Sequence, residues 1–286
     1  MHSVAENWEI QNICSKPSQS MSNFIKNIRL SVASLTGKFI AEKTDSRRVG
    51  ALIQSLHPIN CDKQLIRIGS KKDGGYLVPD DFSGIEHCFS PGVAYASDLE
   101  YECAERGMNV FMADKSVDSP AMNHERFHFT KKYIGVTTNE GFMTLDDWVA
   151  NSVSDSTSEL FLQIDIEGFE YEVFLAASDQ LMRRFRIIVA EFHRLDHLWD
   201  EPFFKLASRA YEKILQTHSC VHAHPNNGRG TVKTQGIEIP LNMEFTFLRK
   251  DRINESSYAT TYPHPLDSDN VKNVAPVILP RCWYGG

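Results

Sequence analysis

From residue 85 onward, short apolar runs alternate with segments of helical periodicity, and several of the runs stop abruptly at an acid or a histidine. "IEHCFSPG" (85–92) reads as a strand running into a turn, and "SDLEYECAERG" (97–107) as a helix stopped by Gly107. "NVFMAD" (109–114) is the next strand, and "FHFTKKYIGV" (127–136) a weaker one. "TLDDWVANS" (144–152) opens a helix like a capping box, with Thr144 followed three residues on by Asp147. "LFLQID" (160–165) is a strand, "FEYEVFLAASDQLMRRF" (169–185) one helix and "RIIVAEFH" (186–193) a strand. "PFFKLASRAYEKILQTH" (202–218) is a helix, and "CVHAH" (220–224) and "MEFTFLRK" (243–250) close the series as strands. Such alternation calls for a largely parallel α/β sheet covered by helices. The last two strands have no helix between them, which predicts an antiparallel hairpin at one edge.

At 286 residues and 42% hydrophobic, the chain can bury one large domain with an appendage. The expected division is an N-terminal extension over 1–60 and a catalytic domain over 61–286. Residues 21–43 place Phe24, Ile25, Ile28, Leu30, Val32, Leu35 and Phe39 at helical spacing. This predicts an amphipathic helix packed on its own domain or on a second copy, a homodimer contact, in preference to a membrane surface. The net charge of −7 argues against a non-specific nucleic-acid partner. Six cysteines without CxxC spacing read as free thiols in a reducing compartment. The N-terminus lacks a signal-peptide pattern and no apolar run approaches the ~18 residues of a membrane span, so the expectation is a soluble, cytoplasmic protein.

Acids at strand ends matter because open α/β sheets bind ligands in the crevice outside the carboxyl ends of their strands. The turn Ser90–Pro91–Gly92–Val93 brings backbone close to a ligand at Gly92, but the absence of GxGxxG leaves a pyrophosphate cradle unsupported. Asp114 ends the next strand, where a Rossmann-type unit sets an acid against ribose hydroxyls. Together these suit a mononucleoside cofactor better than NAD. Upstream, Asp73, Gly74, Gly75 and Tyr76 form hairpin-turn chemistry that is compatible with a loop covering a cofactor. Asp165 ends one core strand, and Glu191 and His193 end the next on one face. His222 and His224 repeat that spacing, followed by Asn226 and Asn227, and Glu244 lies in the final strand. Such carboxylates and imidazoles suit either a divalent cation or a metal-free acid/base site. Glu167 and Glu170 read as acids favouring the start of the following helix.

The segments "DGGYLVP", "CFSPGVAYASDLEYECAERGMNVFMAD", "TLDDWV", "LQIDIEGFEYEVF", "IVAEFH" and "HAHPNN…MEFTF", in that order, resemble the FkbM-type S-adenosylmethionine-dependent methyltransferases over about residues 66–250. "SPGVAYASD" departs from the family, which more often has a second small or acidic residue after its first glycine. The resemblance implies a class I methyltransferase fold, a Rossmann-like seven-stranded sheet with an antiparallel edge hairpin. It implies that Asp73, Gly74, Gly75, Tyr76, Ser90, Pro91, Gly92, Val93 and Asp114 hold S-adenosylmethionine. It also implies a hydroxyl acceptor, often on a sugar or natural product, or nitrogen in some members. A sulfonium methyl is already activated, so the remaining task is to align the acceptor and make it nucleophilic. Asp165, His193 and His224 are the expected catalytic groups. Asp165, Glu191 and His222 are the expected ligands of a cation, which could be Mg²⁺ but tilts to Mn²⁺, Fe²⁺ or Zn²⁺ if a histidine binds it. The rival readings are another Rossmann-like enzyme, such as an NAD-dependent oxidoreductase, and a non-catalytic binding protein.

Overall fold

The computed structural model describes residues 24, 27, 28, 31, 35, 41–93 and 96–285. Phe24, Asn27, Ile28, Ser31 and Leu35 are helical. Ala41, Glu42 and Lys43, at the end of the helix expected over 21–43, are not helical, and Lys43 instead bridges to Asp200. The other residues of that helix, and Ala94 and Tyr95 after Gly92, lie outside the described residues. The larger of two compact units is Lys43–Gly286.

Its seven-stranded sheet contains β1 (Ile85–Pro91), β2 (Asn109–Ala113), β3 (Phe127–Thr130), β4 (Glu159–Ile164), β5 (Phe185–Phe192), β6 (His218–Pro225) and β7 (Met243–Arg249). The spatial order is β6-β7-β5-β4-β1-β2-β3. Strands β1 to β5 run parallel, while β7 runs antiparallel to both β5 and β6. This is the mostly parallel sheet with an antiparallel edge pair that the sequence predicts, in the class I methyltransferase arrangement. The helices are α1 (Ser46–Ser55), α2 (Asp98–Glu105), α3 (Leu145–Ser152), α4 (Glu170–Ala176), α5 (Asp179–Arg184) and α6 (Glu201–Thr217).

Both faces of the sheet are covered, which is why its strands read as apolar runs. In β4, Leu160, Leu162 and Ile164 enter a core shared with α1, α3, α4, α5 and α6. Phe161, between them, enters a second core with α2 and with Tyr76 and Val78 of a hairpin. That hairpin pairs Leu65–Gly69 with Gly75–Pro79, and Thr246 Oγ1 of β7 ties it down by donating to the Leu77 carbonyl at 2.6 Å. At the opposite end of the strands, buried Arg186 donates to the carbonyls of Asp81 and Ser83 at 2.8 and 2.7 Å and pairs with Glu159. That end is closed by an arginine network. The site therefore belongs to the other end.

Several local expectations change. The helix expected over 169–185 breaks after Ala176, because Ser178 Oγ accepts from the Leu181 amide and starts a new helix. The weak strand over 127–136 divides: β3 stops at Thr130, and Tyr133–Ile134 pairs with Phe142–Met143. Residues 43–60 join the larger unit instead of the N-terminal extension, since Val49, Leu52, Ile53 and Leu56 pack into the main core. Thr144 caps α3 as expected, accepting from the Asp147 amide at 3.1 Å. The five described cysteines are free, and no described helix is long and apolar enough to cross a membrane.

The chain just after β1 passes close to the end of β4. Gly92 has φ +87°, and a Cβ there would sit 1.7 Å from the Asp165 carbonyl oxygen. Neither the conformation nor the space admits another residue. Gly92→Ala is expected to lower the unfolding free energy by about 2 kcal/mol or more, read by urea denaturation. A wild-type midpoint would show that the two strand ends are free to separate.

Candidate active site

Strand order reverses between β1 and β4, with β2 and β3 to one side and β5, β7 and β6 to the other. Ligand crevices form at such a point. A cleft of about 210 Å³ lies there, walled by Asp73, Gly74 and Tyr76 of the hairpin turn, Gly92 and Val93 after β1, Glu100 of α2, and Gln163 and Asp165 of β4. The hairpin turn and the cleft wall are thus one structure.

Not every expected cofactor residue reaches that wall. Gly75 is pressed against the Ser70 carbonyl, where a Cβ would lie at 1.7 Å, so its role is to close the hairpin. Pro91 lies within β1, and its carbonyl receives only a long 3.5 Å contact from the Asp165 amide. Asp114 follows β2 beside the turn, where Gly92 N donates to the Ala113 carbonyl at 3.0 Å. Its Oδ1 accepts from Ser116 N at 2.7 Å and from Ser116 Oγ at 2.6 Å.

Ser90 lies beneath the cleft in a buried chain. Its Oγ is 2.5 Å from Glu100 Oε1 and 2.7 Å from Gln163 Oε1, and Gln163 Nε2 donates to Tyr76 OH at 3.3 Å. One hydroxyl proton cannot serve two acceptors. Burial pushes the Glu100 carboxyl up to about 7, so the protonated acid donates to Ser90 and Ser90 donates to Gln163.

Beside the cleft, the end of β5 sets Glu191 and His193 against the loop after β4. Glu170 is wholly buried, and its Oε1 accepts from Ile166 N at 2.9 Å, from Gly168 N at 3.1 Å and from His193 Nδ1 at 3.2 Å. It therefore does more than favour the start of a helix. His193 Nε2 faces Glu167 Oε2, Asp165 Oδ1 and Glu191 Oε1 at 3.6, 3.7 and 3.8 Å. Burial alone would lower the imidazole, but the hydrogen bond and charge of Glu170, then Glu191 and Asp165, raise it to about 9. These carboxylates favour the protonated ring, so His193 serves as a base or a ligand only after releasing its Nε2 proton. Burial, reinforced by Glu191, pushes the Asp165 carboxyl well above its usual range.

The row continues outward. Glu191 faces Glu244 across β5 and β7, and Glu244 faces His224 across β7 and β6. Glu191 Oε1 accepts from Asn226 and Asn242 at 3.0 and 3.2 Å, while Asn270 Nδ2 donates to Glu244 at 2.5 Å and to Asp73 at 3.1 Å. Burial lifts Glu244 to about 8.

His222 does not join Asp165 and Glu191. Because β7 inserts between β5 and β6, His222 and His224 lie two strand spacings, about 10 Å, beyond the strand of Glu191. His222 Nε2 is paired with Asp267 Oδ1 at 2.8 Å. His224 Nδ1 lies 3.7 Å from the same oxygen, and its Nε2 is buried without a hydrogen-bond partner among the described residues. His193 occupies the place beside Asp165 that the sequence gave to His222. Glu100, Gln163, Asp267 and Asn270 were not singled out from the sequence, and Glu170 was read only as an acid at a helix start. Gln163 carried a usable signal, one polar residue in an apolar strand on the face of Asp165, whereas Asp267 and Asn270 lie in irregular chain.

Residues 82–216 match the family model of the methyltransferase FkbM domain. That segment is similar to the methyltransferase FkbM domain. The matched segment holds β1 to β5 and the acids Glu100, Asp114, Asp165, Glu170 and Glu191, while the hairpin and the β6–β7 pair flank it. No curated protein matches the sequence. Among solved structures, a protein assigned as a DNA modification methyltransferase encoded within an E. coli prophage aligns at 11% identity and TM-score 0.39, covering 58% of this chain and 47% of its own. This chain thus spans about half the length of that structure. A fibrillarin/Nop5p complex aligns at 7% identity and TM-score 0.36, covering 58% and 73%. The Burkholderia thailandensis 1,6-didemethyltoxoflavin-N1-methyltransferase, with bound 1,6-didemethyltoxoflavin and S-adenosylhomocysteine, aligns at 12% identity and TM-score 0.29, covering 82% and 91%. The fold assignment rests on the strand order instead.

The Glu100 chain has a pH signature. Its folded value of about 7 exceeds the ordinary 4.5, so the folded state binds the proton more tightly. The resulting stabilisation is fully present below about pH 4.5 and is lost as pH rises through 7, by about 3 kcal/mol in all. Glu100→Gln keeps an amide donor for Ser90, so its stability relative to wild type should rise between pH 5 and pH 8. Urea denaturation across that range checks this, and a constant difference would contradict it.

Proposed function

We propose that the chain transfers a methyl group from S-adenosylmethionine to a hydroxyl oxygen of a sugar or glycoconjugate. The observation that carries this reading is the cleft at the strand-order reversal of an FkbM domain, with Gly92 pressed on the Asp165 carbonyl and a carboxylate–imidazole cluster alongside. The residues fit the cofactor. Gly92 leaves backbone bare at the wall, Asp73 and Asp98 offer carboxylates, and Val93 and Leu99 offer apolar surface. Gly74 and Tyr76 would hold it from the hairpin side, and Asp114 would meet its ribose. S-adenosylmethionine supplies an electrophilic methyl on a sulfonium.

The remaining chemistry falls to the chain's own groups. Asp165 Oδ1 is buried without a hydrogen-bond partner among the described residues, so it can receive an acceptor O–H. Asp165 and Glu191 orient that hydroxyl, and the surrounding carboxylates take up the proton it releases. His193 stands between these acids, and Glu170 fixes its ring. A polyhydroxylated acceptor is supported by the hydrogen-bonding side chains along the row, namely Asn226, Asn242, Asn270, His224 and Asp267. An NAD-dependent reaction has no GxGxxG cradle to support it.

Two measurements test this. S-adenosylhomocysteine should raise the melting temperature in a concentration-dependent way while NAD⁺ does not, and the reverse ranking would favour an oxidoreductase. Asp114→Asn should weaken S-adenosylhomocysteine by about 1–3 kcal/mol in calorimetry. Wild-type affinity in a folded variant would remove Asp114 from the cofactor site.

A further inference from the structure

His193 is 7% exposed and uses its two nitrogens differently. Nδ1 is committed to Glu170 at 3.2 Å, while Nε2 makes no hydrogen bond among the described residues. Three carboxylate oxygens, from Glu167, Asp165 and Glu191, surround Nε2 at 3.6–3.8 Å, too far to bond to it. Two ligands each about 2.1 Å from one ion lie roughly 3–3.5 Å apart, so Nε2 stands only slightly beyond that spacing from each of the three oxygens. Asp165, Glu170 and His193 each offer a ligand atom, all within 4.8 Å of one another. Asp165 Oδ1 is buried and unpartnered among the described residues. A metal-binding histidine commonly donates its other ring nitrogen to a carboxylate, which is the relation of Nδ1 to Glu170. Glu191 is likewise steadied, by Asn226 and Asn242.

We infer that Asp165, Glu191 and His193 Nε2 bind one divalent transition-metal cation beside the cleft, with Glu170 orienting the imidazole from behind. One imidazole among carboxylates favours Mn²⁺, Fe²⁺ or Zn²⁺ over Mg²⁺ and Ca²⁺. The neighbouring group of Asp73, Glu191 and Glu244 has no imidazole, and each of its members already accepts an amide hydrogen bond. The inference deepens the proposed methyl transfer and rests on it for its role, since the ion would hold and acidify the acceptor hydroxyl.

The test is a Mn²⁺ titration of chelated full-length protein, followed by calorimetry and by pulsed electron paramagnetic resonance. One ion per chain should bind, with a ¹⁴N coupling from a ligating imidazole. His193→Gln should abolish that coupling, and both His193→Gln and Asp165→Asn should weaken binding at least 100-fold. Glu170→Gln, a change in a positioning residue, should keep the coupling but weaken binding about 10- to 100-fold. Circular dichroism checks that each variant folds, and the wild-type coupling decides the matter even if one does not. No bound Mn²⁺, binding without nitrogen coupling, or unchanged affinity in folded His193→Gln would overturn the site. Parallel titration with S-adenosylhomocysteine separates the two readings. Nucleoside binding without a metal site overturns this inference alone, and a metal site without nucleoside binding overturns the proposed function alone.

Discussion

A single buried carboxylate organises the site. Glu170 has no exposed surface, and one of its oxygens accepts from two backbone amides of the loop after β4 and from the ring of His193. The loop carries Asp165 and needs two positive-φ residues, Glu167 at 58° and Gly168 at 101°, to double back over Glu170. Such backbone has little intrinsic preference for this shape and is held by those bonds. The same bonds set the direction of His193 Nε2. Removing the carboxylate would release loop and ring together, so Asp165 and His193 share one support.

The second constraint is strand order. The antiparallel β7 enters between β5 and β6, so side chains that look adjacent along the sequence fall at different distances from the cleft. Asp165, Glu191 and His193 lie together near the reversal point, while His222 and His224 stand beyond β7 and are met by Asp267. The result is a graded row, with titratable groups near the cleft and amide and imidazole groups further out. Burial crowds the acids of the inner part and raises several of them, which favours uptake of a proton or of a cation over ionisation in isolation.

Much of this was legible from sequence where burial imposes a period. The strands β1, β2, β4 and β5 appear as apolar runs because both faces are covered, and the acids at the ends of β2, β4 and β5 lie at the carboxyl end of the sheet. Ser178 was misread because its helical neighbours keep an apolar spacing on both sides of the break. That the fold sets His222 apart from Asp165 and Glu191 escaped the sequence for a different reason. Periodicity gives a side chain's face but not the lateral position of its strand, and the insertion of β7 is a matter of long-range packing. Asp267 and Asn270 come from chain with no period at all, and only tertiary contact brings them to β6 and β7.

The most direct test of the central claim is a crystal structure of the protein with S-adenosylhomocysteine. The account predicts the nucleoside in the cleft at the β1–β4 reversal, between the Gly92 turn and the Asp73–Tyr76 hairpin, with its sulfur directed toward Asp165 and His193. Density for the nucleoside at any other place on the sheet, or an empty cleft at saturating ligand, would contradict it.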